Sequence, residues 1–378
     1  MNYGVYIHIP FCRRKCGYCD FYSLSGKDEM MEPYVDALIE EIAARGRASA
    51  ASGEAATLYV GGGTPTVLPI RLLSLVLQAA RSSFRIAADA EITVEANPAT
   101  VDLEYMTALE TLGVTRLSIG AQEFNDSILR RIGRIHTARD TRDAVKWARA
   151  AGIVNVSLDL MYGLPGQTLD DVIWSVGSAM DLAVNHISVY GLTIEDGTPF
   201  SAMAESGELV LPTEEESEEM YDYLTGKLPP YGFARYEISN FAREGFESRH
   251  NIGYWSDTPY IGVGAAAASY WDGRRYTNVR DAAKYIEAIG RGELPATLSE
   301  QPTRKNALEE YCFLALRMAR GIEKEAFAGK FGEPIEKIYG DAIKNLKDNG
   351  LLTEENGFLR LTDKGMKLGN VAFRAFIL

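Results

Sequence analysis

Between Tyr3 and Leu192 six short apolar, β-rich runs alternate with helical patterns. This alternation constrains the fold more than any other feature of the chain. The runs are Tyr3–Ile9, Thr57–Val60, Ile92–Glu95, Arg116–Ile119, Val154–Leu160 and Ile187–Leu192. Helical segments are expected around Met31–Ala48, Leu68–Ser82, Leu103–Leu112, Ser127–Ile132, Arg139–Ala151 and Leu169–Leu182. Strands that alternate with helices pair in parallel through right-handed crossovers. Six units over about 200 residues are too few for an eight-fold barrel and suit an α/β fold with an open or partial (β/α)6 barrel.

Past Pro199 the pattern changes. Thr213–Lys227 reads as an acidic helix, Phe233–Ile238 as a strand, Ser239–Trp255 as a polar, aromatic loop, and Tyr260–Tyr270 as a small-residue-rich stretch. From about Arg304 the chain is helical again. Pro334–Asn349 is a helix closed by Gly350, an Asn356-Gly357 turn precedes the strand-like Phe358–Leu361, and a last helix follows Thr362. Helix, hairpin and helix suggest a winged-helix-like module. The expected division is a core of residues 1–235, a connecting segment 236–300, and a C-terminal domain 301–378. With 39 Lys+Arg against 52 Asp+Glu the net charge is −13. A surface that acidic argues against nucleic-acid binding and makes the C-terminal module a packing domain. The N-terminal stretch lacks a cationic leader pattern, and no apolar run reaches 18 residues, so a cytoplasmic protein is expected.

Only four cysteines occur, and Cys12, Cys16 and Cys19 fall within eight residues as C-x3-C-x2-C, just after the first strand. A disulfide framework needs a denser, even set. Thiolates suit zinc, Cu(I) or iron–sulfur clusters. Three cysteines on one short loop can hold three corners of a four-iron cube and leave the fourth iron open. Zinc is the rival and would need a fourth ligand, with His8 nearby. Inert buried thiols are the third reading, and the flanking Arg13, Arg14, Lys15 and Asp20 disfavour it. Cys312, on the apolar face of YCFLALRMAR, reads as a small core hydrophobe.

Other polar signals sit where strands end, the rim that carries chemistry in parallel α/β folds. Gly61-Gly62-Gly63-Thr64-Pro65 is not a P-loop, since no Gly-Lys-Ser/Thr follows, but it lets a ligand approach bare backbone. Glu95 could pair with a cation or a hydroxyl, or be a solvated rim carboxylate. Gln122, Arg134 and Asp159 occupy comparable places.

The cysteine spacing, with Tyr18 just before the last cysteine, resembles the radical S-adenosylmethionine (SAM) superfamily. That resemblance implies a [4Fe–4S] cluster on Cys12, Cys16 and Cys19, with SAM on the open iron and one cluster electron available to cleave the sulfonium. Gly62, Gly63, Thr64, Glu95, Gln122, Arg134 and Asp159 match SAM-contacting positions of one subfamily, and Tyr6 and Tyr18 match positions near the adenine and the cluster. The subfamily is the oxygen-independent coproporphyrinogen III oxidase group, similar nearly end to end through YIHIPFCRRKCGYCDFYS, LYVGGGTPT, RLSIGAQEFN, LDLMYGLPGQT and HISVYGLTIEDGTPF.

Within that group the chain resembles the HemW-type haem-chaperone branch. Phe21 stands where the oxidase carries a fourth cysteine, and eleven residues precede Cys12 where the oxidase has tens. His250-Asn251-x-x-Tyr254-Trp255 is similar to the HNxxYW signature of that branch. It implies haem as a ligand, with His250 on the iron, Tyr254 and Trp255 against the porphyrin, and Arg235, Arg243 or Arg249 on its propionates. Without the resemblance, His250 could merely bond a loop. His136 and His186 read as structural. The implied partners are haem, haem-accepting respiratory apoproteins at a membrane, and an electron donor. The implied place is the cytoplasm, with peripheral membrane contact. The alternative is an oxidase that converts coproporphyrinogen propionates to vinyls.

Overall fold

The computed structural model describes residues 2–378. Six strands and the helices between them build its core: β1 (Asn2–Ile9), α1 (Met31–Ser49), β2 (Glu54–Gly62), α2 (Ile70–Ser83), β3 (Ile86–Ala96), α3 (Leu103–Thr111), β4 (Arg116–Gln122), α4 (Asp126–Arg131), α5 (Ala138–Ala150), β5 (Asn155–Tyr162), α6 (Leu169–Asp181) and β6 (His186–Gly191). Neighbours from β1 to β6 pair in parallel, as the alternation requires. Thr137 and Thr168 start α5 and α6 with reciprocal capping boxes to Asp140 and Asp171.

Side chains alternate along each strand. The outward set is apolar and packs under the helices: Val5, Ile7, Leu58, Val60, Ile92, Val94, Leu117, Ile119, Leu158 and Ile187 are buried in one core. The intervening inward set is polar on every strand, with Tyr6 and His8, Thr57 and Tyr59, Thr93 and Glu95, Arg116 and Ser118, Ser157 and Asp159, and His186 and Ser188. The concave face of the sheet is therefore a polar interior, and its apolar core lies between sheet and helices.

The later segments extend this same sheet. After α7 (Pro199–Glu205) and α8 (Glu214–Lys227), β7 (Ala234–Arg235) and β8 (Asn240–Ala242) add antiparallel strands beside β6. The strand expected over Phe233–Ile238 shrinks to two residues. The chain turns at Glu237, whose carboxylate accepts from Ser239 N at 3.0 Å. The loop expected over Ser239–Trp255 is partly ordered structure, with β8 followed by the helix α9 (Arg249–Trp255). Ser248 caps α9 by accepting from Asn251 N. A seven-residue helix is too short to leave a readable period.

The small-residue stretch forms β9 (Tyr260–Val263), parallel to β1, then β10 (Ala268–Trp271) and β11 (Arg274–Asn278). Small residues are needed here because a Cβ on Gly262 would lie 2.0 Å from the Ala268 carbonyl oxygen. After α10 (Ala282–Gly290), β12 (Ala296–Glu300) completes a twelve-stranded open sheet.

The C-terminal residues form α11 (Arg304–Arg317), β13 (Ile322–Glu323), α12 (Lys324–Phe331), α13 (Ile335–Asp348), β14 (Leu352–Glu355) and β15 (Phe358–Leu361), with two short helices at the end. This is winged-helix order around a three-stranded sheet with its own hydrophobic core. Cys312 is buried in that core, as expected of a small hydrophobe. Among the described residues no helix is long and apolar enough to cross a membrane.

Candidate functional site

The polar interior opens into a cavity of about 750 Å3 at the C-terminal ends of the strands. Cys12, Cys16 and Cys19 line it together with Tyr6, Tyr18, Gly62, Gly63, Thr64, Glu95, Gln122, Arg134, Asp159 and His250. The cysteines, the positions matched to SAM contacts, and His250 with Tyr254 are brought to one space.

The cysteine loop is held at its midpoint. Gly17 N donates to Ile132 O at 3.1 Å, and Phe200 N on α7 donates to Gly17 O at 2.9 Å. A Cβ on Gly17 would lie 2.4 Å from the Phe200 ring, so only glycine passes there. All three cysteines are free thiols. Burial raises the Cys12 and Cys19 pKa values, and a hydrogen bond from Thr64 opposes the effect at Cys12. Cys12 Sγ lies 3.5 Å from Thr64 Oγ1, and Arg134 Nη1 donates to Cys16 Sγ at 3.7 Å. His8 does not join them. Its Nε2 is 3.0 Å from Tyr22 O and its Nδ1 is 3.0 Å from Tyr6 Oη, so the fourth zinc ligand considered from sequence is engaged elsewhere.

The triple glycine answers a packing demand as well as any ligand. Gly62 has φ +112°, and a Cβ there would strike the His8 ring at 2.5 Å. A Cβ on Gly63 would lie 3.1 Å from Cys12 Sγ, so its absence leaves room beside that thiol. The Gly63 and Thr64 amides donate to Ile9 O and Phe11 O. The Gly62 amide donates to Glu95 Oε2 at 3.1 Å, and Tyr59 Oη donates to Glu95 Oε1 at 2.7 Å. Glu95 is thus no solvated rim carboxylate. Burial pushes its pKa up to about 7, against the Tyr59 bond that lowers it.

Gln122 sits at a bulge with φ +64°, a conformation uncommon for a side-chain-bearing residue. Its neighbour Glu123 clamps the turn by accepting from Phe124 N at 2.7 Å and Asn125 N at 3.1 Å. Arg134 Nη2 donates to Gly120 O at 2.6 Å and its Nε lies 3.4 Å from His136 Nδ1. His136 Nε2 is in turn 3.0 Å from Ala121 O. His136, which reads as structural, thereby braces a cavity arginine. Burial, then the Arg134 charge, lowers the His136 pKa to about 3. Asp159 accepts from Ser118 Oγ at 3.3 Å on both oxygens, and burial raises its pKa.

His250 lies at the deep end. Its Nδ1 is 2.7 Å from Thr57 Oγ1 and its Nε2 is 2.9 Å from Tyr254 Oη. Its ring stacks on Tyr59 with centroids 5.0 Å apart. Burial, then the charge of Arg116, lowers its pKa to about 3, so the ring is neutral at pH 7.

Two features differ from the sequence expectation. Trp255 does not line the cavity; its ring lies under the Arg317 guanidinium of α11, 4.4 Å from the centroid. Arg235, Arg243 and Arg249 do not line it either. Arg235 bonds Tyr221 and Ile238, Arg243 packs on Phe233, and Arg249 pairs with Asp89.

Over residues 6–176 the chain matches the radical SAM superfamily, and over 303–368 the HemN C-terminal domain. It is 38% identical to the heme chaperone HemW of Bacillus subtilis over 99% of both chains, and 33% identical to that of Escherichia coli over 99% of this chain and 98% of the other. The chain belongs to the HemW family of radical SAM proteins. Coproporphyrinogen III oxidase (HemN) from Escherichia coli, described as a radical SAM enzyme, shares the fold with a TM-score of 0.87 over 99% of this chain and 89% of that one, at 22% identity.

Membership of the radical SAM superfamily implies a [4Fe–4S] cluster and SAM. The residues present in this HemW-family protein fit both groups. Three soft, free thiols face one cavity, a missing Cβ leaves space at Cys12, and polar groups converge around the remainder. Sequence reasoning missed Arg116, which also lines the cavity. The signal was available: Arg116 and Ser118 alternate with Leu117 and Ile119 on β4.

Proposed function

We propose that this protein is a haem chaperone of the radical SAM type, binding haem and handing it to haem-requiring respiratory apoproteins. The observation that carries this reading is the full-length similarity to curated haem chaperones. Cys12, Cys16 and Cys19 would hold the cluster, which when bound supplies one electron toward the SAM sulfonium. Gly62, Gly63, Thr64, Glu95, Gln122, Arg134 and Asp159 would receive SAM, with Tyr6 and Tyr18 near its adenine and the cluster. The amides of Gly62, Gly63 and Thr64 are used inside the protein, so that turn is left to contact a ligand through carbonyls and the Thr64 side chain. Arg134, braced by His136, presents a fixed positive charge beside Cys16.

Haem is the cargo, and His250 its proposed ligand. With Nδ1 held by Thr57, the imidazole is oriented, and the Tyr254 hydroxyl covers Nε2. One hydrogen bond contributes only about 1 kcal/mol. Displacement of Tyr254 is therefore the step that frees Nε2 for iron. Delivery at the membrane surface and an external electron donor belong to the same proposal, as does a functional division into residues 1–235, 236–300 and 301–378.

The test is a haemin titration of the reconstituted protein followed by the Soret band. His250→Ala should weaken binding by about tenfold or more, and Tyr254→Phe should preserve or tighten it. Identical titrations for wild type and His250→Ala would refute the ligand assignment. Anaerobic turnover of coproporphyrinogen III with SAM and dithionite would instead favour the oxidase reading.

A further inference from the structure

Arg116 is 2% exposed and is the largest fully buried side chain among the described residues. It lies near the start of β4, six residues before Gln122 at the rim, and strands rise by about 3.3 Å per residue. That places its backbone roughly 20 Å below the rim along the strand. Among the described residues its guanidinium makes no hydrogen bond and no ion pair within 4.0 Å, and its Nε is buried without a partner. Yet Arg116 lines the cavity. An arginine has five donors and cannot lose its proton in a protein, and an unpaired buried charge costs several kcal/mol.

The acids nearby are already engaged. Glu95 accepts from Tyr59 and the Gly62 amide, and Asp159 accepts from Ser118. Glu91 accepts from the Arg249 and His250 amides. Glu95 and Asp159 feel the Arg116 charge, as do His186 and His250, but none of these groups closes on the guanidinium. What is left is a planar fork of donors in a low-dielectric wall, open toward the cavity and complementary to a carboxylate.

The geometry points to an anion subsite on the cavity floor, in which Arg116 takes a carboxylate. Two sources share that chemistry: a carboxylate arm of the porphyrin cargo, which rests on the function proposed above, and a small free carboxylate.

The experiment compares wild type with Arg116→Met and Arg116→Lys in two arms, each variant first checked for a cooperative thermal transition. In the first arm haemin and haemin dimethyl ester are titrated separately. Wild type should prefer the free acid by about tenfold, equivalent to about 1.4 kcal/mol. Arg116→Met should bring the two within about twofold, with Arg116→Lys between. In the second arm the melting temperature is followed with sodium propionate and with propionamide at matched ionic strength. Propionate alone should raise it in wild type, and the rise should vanish in Arg116→Met. A propionate shift that depends on Arg116, without haemin binding or without an Arg116-dependent preference, keeps the subsite and assigns it to a free carboxylate. Absence of haemin binding would at the same time count against the proposed function. If neither the haemin preference nor the propionate shift depends on Arg116, the subsite is wrong and the guanidinium is met by water alone.

Discussion

Single positions in this chain are constrained from two sides. Gly62 meets the His8 ring and holds φ +112°, so Gly62→Ala combines a clash with left-handed strain. The expected loss is about 2 kcal/mol or more in urea unfolding, and a variant as stable as wild type would contradict the close approach. The thiols are a separate matter. Cys12→Ala, Cys16→Ala and Cys19→Ala should each abolish stable cluster binding, read as bound iron per chain after reconstitution. Iron near the wild-type level in any of the three would remove that residue from the ligand set. The cysteines were legible in the sequence because their spacing is local. His136 was not, because its partners Ala121 and Arg134 meet it only once a bulge has folded.

At the scale of elements, the strand–helix rhythm was readable because the outward face of each strand is continuously apolar. The bulge at the end of β4 was not, and it aims Gln122. Glu123 pins it with four acceptor contacts, to the Phe124 and Asn125 amides, Ser175 and Gln167. Glu123→Ala takes the acceptor from the Asn125 amide and the Ser175 hydroxyl, while Phe124 N keeps Ser175 Oγ and Gln167 keeps Met161 O, and each buried donor left without a partner costs about 1–3 kcal/mol. The variant should unfold at clearly lower urea and bind SAM more weakly, by equilibrium dialysis. Unchanged stability would mean that the bulge holds itself. Helix α9 hid for a different reason. Its seven residues carry no helical period, and only Ser248, as a cap, marked its start.

For the whole molecule the four histidines act together. Burial depresses all of them, His8 to about 4, His136 and His250 to about 3, and His186 well below its usual value. The unfolded chain therefore binds more protons below about pH 6.5, and their contribution to stability is lost as pH falls through that window. Glu95 acts with the opposite sign. Its raised pKa of about 7 gives a contribution present at low pH and lost as pH rises from 4.5 to 7. Glu95→Gln should steepen the rise of unfolding free energy between pH 4.5 and 7, by at most about 1.4 kcal/mol per pH unit. An unchanged slope would show that Glu95 titrates normally.

The sequence by itself determined the parallel α/β core, the winged-helix order at the C-terminus and the three-cysteine loop. These follow from periodicity and from residues close in the chain. Only the tertiary structure decided that Thr57 and Tyr254 hold both nitrogens of His250, that Trp255 turns toward α11, and that Arg116 reaches the cavity without a partner among the described residues. Those outcomes depend on which side chains from distant strands share the polar concave face, and strand curvature and register set that.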